Sequence, residues 1–119
     1  MGGALALSCA IVLSGHRVEA QDQPSAASCV VLLNASAKTY MDFRQWQVQQ
    51  PEKERPKANS ALSAVDRTVD HSGCSSKTWD ELKACLEEGI KSADITTTMG
   101  YNMVGTQCVS QSLGLQMRR

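Results

Sequence analysis

Residues 26–48 read AASCVVLLNASAKTYMDFRQWQV, and this stretch decides the fold class. Ala26, Val30, Leu33, Ala37, Met41 and Val48 return at intervals of three, four or seven, with Tyr40 beside them. Side chains so spaced share one face of a helix turning every 3.6 residues, whereas a half-buried strand would alternate. Leu32, Phe43 and Trp46 add a second, narrower apolar strip on another side. A helix apolar on two sides sits between neighbours, so residues 26–48 are expected to form a central helix. Arg44 interrupts the main stripe, and its stem is expected to lie along the core while its head reaches water.

The next segment, Gln49 to Lys57, reads QQPEKERPK. Two prolines and a charge run end the helix and predict a solvated linker over 49–58. A second helix is expected from Asn59 or Ser60, either of which is a candidate cap. Leu62, Val65 and Val69 would be its buried stripe, and Gly73 its left-handed terminus. Thr78-Trp79-Asp80-Glu81 has the form of a capping box and predicts a third helix, buried through Leu82, Cys85, Leu86 and Ile90. Residues 94–117 carry Ile95, Met99, Met103, Val109, Leu113 and Met117 at helical intervals, but also Gly100, Gly105 and Gly114. Each glycine weakens a helix by up to about 1 kcal/mol relative to alanine. An interrupted fourth helix is expected there, with a short β-hairpin as its competitor. The predicted class is all-α, a bundle of three to four helices.

The N-terminus reads as an address. Ala4 to Leu13 is apolar except for Ser8 and Cys9, and Val18-Glu19-Ala20 presents small residues where a signal peptidase reads them. The run is too short to span a hydrocarbon core of about 30 Å, so a signal peptide over 1–20 is expected rather than a membrane span. Cleavage would leave Gln21 first and residues 21–119 as one small helical domain. It would also remove Cys9 and leave Cys29, Cys74, Cys85 and Cys108, an even set that an exported chain of this size would use as two disulfides. Four cysteines allow three pairings. If the proline-containing linker returns the chain antiparallel, the start of the first helix meets the end of the second, which favours Cys29–Cys74 and Cys85–Cys108. The alternative joining Cys29 to Cys85 would make the first and third helices covalent neighbours.

Chemistry-bearing patterns are sparse. Twelve basic and twelve acidic side chains cancel, which removes the long-range attraction to nucleic-acid backbones. The cysteines lack zinc-finger spacing, and no glycine pattern cradles phosphate, so no metal or cofactor is expected. His71 is the one histidine left after cleavage, with Asp66 and Asp70 a helical turn apart close by. Carboxylates so placed can hold a cation or divide acid and base roles. A solvated helix face explains them more simply, so no catalytic residue is assigned. Asn34-Ala35-Ser36 is an N-glycosylation triplet. The expected function is that of a small secreted, non-enzymatic protein working through contacts with another extracellular protein, in the manner of a ligand or effector. Two alternatives stand beside it: a carrier of a small apolar ligand, with Met41, Met99, Met103 and the aromatics lining a cavity, and a structural extracellular component.

Overall fold

The computed structural model describes residues 24–114. The expected signal peptide at 1–20, the cleavage before Gln21, and Met117 lie outside the described residues. Four helices follow one another: α1 (Ala26–Val48), α2 (Asn59–Ser72), α3 (Ser76–Ser92) and α4 (Thr98–Val109). A 3-10 helix, Glu52–Ala58, joins α1 to α2, and a π-helical turn, Ser110–Gly114, follows α4. No strand occurs among the described residues. The fold is an all-α bundle carrying two disulfides.

Local chemistry sets the boundaries. The Ser25 hydroxyl accepts from the Ser28 N–H at 3.0 Å and satisfies one of the free donors at the start of α1. The connection after α1 is mostly exposed and is ordered as the short 3-10 helix. The Glu54 N–H donates to the Pro51 carbonyl at 2.8 Å, the Gln47 amide donates to the Arg55 carbonyl at 2.8 Å, and Ala58 is buried. Pro51 presets φ at −60° for this tight turn, so proline here shapes a compact corner instead of opening the chain. The 3-10 helix runs straight into α2. Asn59 and Ser60 are therefore helical residues and not caps, and Ala58 precedes them without a side-chain cap bond. Gly73 closes α2 with φ 83°, a left-handed conformation that costs a glycine nothing.

The capping box expected at Thr78 is also displaced. Helix α3 starts a turn earlier, where the Ser75 hydroxyl accepts from the Thr78 N–H at 3.1 Å. Thr78 is buried inside the first turn, and Glu81 is exposed. Between α3 and α4, the Asp94 carboxylate accepts from the backbone N–H and the hydroxyl of Thr96. Thr97 then caps α4 by accepting from the Gly100 N–H at 3.0 Å. Of the two readings of this C-terminal region, the helix is the one observed among the described residues.

Helix α1 touches every other element, as its two apolar strips imply. The core gathers Leu33, Ala37 and Met41 of α1, Val65 and Val69 of α2, and Trp79, Leu82 and Leu86 of α3. Ile95, Val104, Cys108 and Leu113 close it from the C-terminal side. Leu82 and Leu86 are wholly buried, and each such side chain contributes roughly 1.5–3 kcal/mol. Disulfides join Cys29 to Cys74 and Cys85 to Cys108, both with Cα atoms 5.6 Å apart. These are the pairs favoured by an antiparallel return. α1 and α2 form one antiparallel pair, α3 and α4 the other. Among the described residues, no helix is long and apolar enough to cross a membrane.

Candidate functional site

Three features outside the plain core carry polar chemistry. The first lies between α1 and α3. Arg44 reaches the Glu87 carboxylate through Nε and Nη2, both at 2.8 Å, and the Tyr40 hydroxyl donates to the same carboxylate. The head of Arg44 thus ends on Glu87 rather than in water, which corrects the expectation for this residue. A bidentate guanidinium pair fixes orientation as well as charge, and here it sets α1 against α3. The Arg44 hydrogen bonds hold the Glu87 carboxyl below its ordinary range. Burial, with the hydrogen bond to Glu87, pushes the Tyr40 phenol far up. Such a group keeps its proton and acts as a donor. Sequence reading missed Glu87; the signal was the Tyr40/Arg44 pair, two polar-tipped residues a turn apart on a buried stripe that needed one acceptor.

The second feature is the Asp66 region. Asp66 accepts from the Trp79 indole N–H and from Lys83, both at 2.8 Å. Partial burial pushes the Asp66 carboxyl up, but the Lys83 and Trp79 hydrogen bonds outweigh it and leave the group below its ordinary range. Lys83 also lies 5.7 Å from the Trp79 ring centroid, and Trp79 meets Tyr40 edge to face at 6.1 Å. The cleft between α2 and α3 brings Asp66 and Asp70 together with Arg67, Asp80 and Lys83, but His71 does not line it. Asp70 and His71 are exposed. Asp66 is thus engaged in joining α2 to α3. Among the described residues, no three His, Cys, Asp or Glu side chains converge to hold a metal.

The third feature is a groove of about 420 Å³ between α1 and α4. Ala37 and Met41 of α1 form its floor, Tyr101 and Val109 of α4 its apolar wall, and Lys38 and Asn102 stand on its polar rim. Asn34, the glycosylation candidate, lines the same groove and is exposed. Tyr101 is fixed in place: its hydroxyl donates to Asp42, and Lys38 sits 5.9 Å from its ring centroid while pairing with Asp42 at 3.5 Å. Burial and the Asp42 hydrogen bond raise its pKa well above that of a free phenol. The methionines do not share one cavity. Met41 is buried beneath the α1–α4 groove, Met103 lines a separate groove against α3, and Met99 is 77% exposed.

The chain contains two tyrosines, and both are held protonated. A spectrophotometric titration of the native protein is expected to show neither phenol ionising near the ordinary value of about 10, while the denatured chain titrates there. A raised folded pKa means that the stability from these hydroxyls is complete below the unfolded pKa and is lost as pH rises through the folded one. Alkali is therefore expected to weaken the fold progressively from about pH 10 upward, and a native phenol titrating normally would contradict the Glu87 and Asp42 contacts.

Comparison with protein-family models, with curated proteins and with solved structures finds no match to this chain.

Proposed function

We propose that this is a small secreted, non-enzymatic protein that acts by binding another extracellular protein. The observation that carries the reading is the exposure of Trp46, Met99 and Met103, at 41%, 77% and 53%, on a frame cross-linked by two disulfides. Tryptophan and methionine are enriched where proteins meet, because a large or flexible apolar side chain gains most when a partner removes it from water. The cross-links lower the entropic cost of holding such residues ready. The disulfides and the lack of a spanning helix among the described residues are compatible with an extracellular setting. Export itself rests on the Ala4–Leu13 run and the site after Ala20.

The test uses the full-length chain expressed in a secreting eukaryotic cell. The protein is expected in the medium with Gln21 at its N-terminus, and its labelled form is expected to bind a panel of cells saturably. Trp46→Ser combined with Met99→Ser and Met103→Ser should abolish that binding and leave the fold intact, since all three side chains are exposed. Binding unchanged by the triple substitution would overturn this reading. The alternative, carriage of a small apolar ligand, draws on the α1–α4 groove, whose volume lies in the range of about 300–1,000 Å³ usual for small-molecule sites. Native mass spectrometry showing a co-purifying apolar molecule would favour it.

A further inference from the structure

We infer that the α1–α4 groove is the seat of the first sugars of an N-linked glycan carried by Asn34, so that the glycan acts as a fifth packing element of the bundle. The inference rests on the secreted reading above, because only an exported chain meets the transferase.

Position is the first support. Asn34, Lys38 and Met41 lie along one stripe of α1, and Asn34 opens directly into the groove. An N-acetylglucosamine on its amide would begin at the groove wall, so tethering removes most of the entropy that a free ligand would lose. Chemistry is the second. A pyranose ring has an apolar C–H face and a hydroxyl-bearing edge. The groove matches both with an apolar floor and wall of Met41, Tyr101 and Val109 and a rim carrying Lys38 and Asn102. The Tyr101 ring is held by Asp42 in advance, and Lys38, whose side chain is 70% exposed, can move to admit the sugar.

Gly105 is the third support. It lies inside α4, lines the groove, and a Cβ built on it would meet nothing within 4 Å. A glycine inside a helix is less favourable than almost any other residue, and here neither packing nor backbone conformation requires it. What its missing side chain does leave is open space in the groove that Asn34 also lines. Ser36, the third residue of the triplet, is buried at 6% exposure. Its hydroxyl is therefore available to a transferase only before α1 folds, and the sugar is present while α1 and α4 come together.

The full-length chain is expressed in secreting cells restricted to high-mannose glycans, and the medium protein is compared in four forms: intact, trimmed by an endoglycosidase to one N-acetylglucosamine, fully stripped by an amidase, and the never-glycosylated Asn34→Gln. Mass analysis is expected to place one glycan on Asn34. The intact and trimmed forms should melt together, and the stripped form and Asn34→Gln lower by roughly 4 °C or more. Gly105→Leu fills the groove without touching the triplet, and in that background removing the glycan should no longer shift the midpoint. Medium protein without glycan overturns the inference and leaves the secreted reading standing. A glycan whose removal shifts neither background, or both equally, does the same. Unglycosylated protein confined to the cytosol overturns both.

Discussion

In dithiothreitol the cooperative thermal transition of this protein is expected to fall by tens of degrees or disappear. The Cys29–Cys74 bridge closes a separation of 45 residues and the Cys85–Cys108 bridge one of 23. In the chain-entropy account such loops restrict the unfolded state by about 4 and about 3.4 kcal/mol respectively. A domain of this size has a total stability of roughly 5–15 kcal/mol, so either bridge is a large share of it. The first bridge joins α1 to the turn after α2, and the second joins α3 to α4. Replacing Cys29 and Cys74 together by alanine should therefore cost more than replacing Cys85 and Cys108. Circular dichroism melts of the oxidised, reduced and doubly substituted forms measure this directly, and a reduced protein melting within a few degrees of the oxidised one would mean that packing alone holds the bundle.

Gly100→Ala is expected to be the most damaging small substitution. A Cβ at Gly100 would stand 2.0 Å from the Asp94 carbonyl oxygen, 2.7 Å from its carbon and 3.0 Å from the Thr97 hydroxyl that caps α4. The obstacle is backbone, pinned by the Asp94–Thr96 turn, so no side chain can rotate aside. Overpacking of this kind costs about 1–3 kcal/mol and occasionally more, against a gain of at most about 1 kcal/mol from replacing glycine in a helix. A net loss near the top of that range would lower the midpoint by roughly 4–8 °C per kcal/mol. Gly105→Ala is the matched control. With open space at its Cβ, it should leave the midpoint unchanged or raise it. Equal behaviour of the two variants would show that the 94–100 turn does not approach α4 as described.

These two glycines mark the limit of what the sequence disclosed. Both weaken a helix on propensity, which is why residues 94–117 read as interrupted; only the fold shows that Gly100 admits a carbonyl while Gly105 admits nothing from the protein. The long periodic stretch 26–48 was legible because its stripe repeats over six turns and ends before Pro51. Gly73 was legible because left-handed termini select glycine. The start of α3 was not, since Ser75 and Thr78 are both good caps and the choice falls to tertiary burial of Thr78 and Trp79. Candidate site residues followed the same rule. Asn34 is named by its own triplet, whereas Glu87 and Tyr101 acquire partners 43 and 59 residues away, beyond the reach of local pattern.

The two bridges follow one another along the chain without crossing or nesting. Under a mechanical load applied at the ends, the force therefore passes through each sulfur–sulfur bond in turn and never through the interior of either ring. Only the tails and the stretch from Ser75 to Ala84 can lengthen, at no more than about 3.3–3.6 Å per residue. The hairpins α1–α2 and the far part of α3 with α4 stay looped even when their packing is lost. The molecule is in effect a short two-link chain with one inextensible ring in each link.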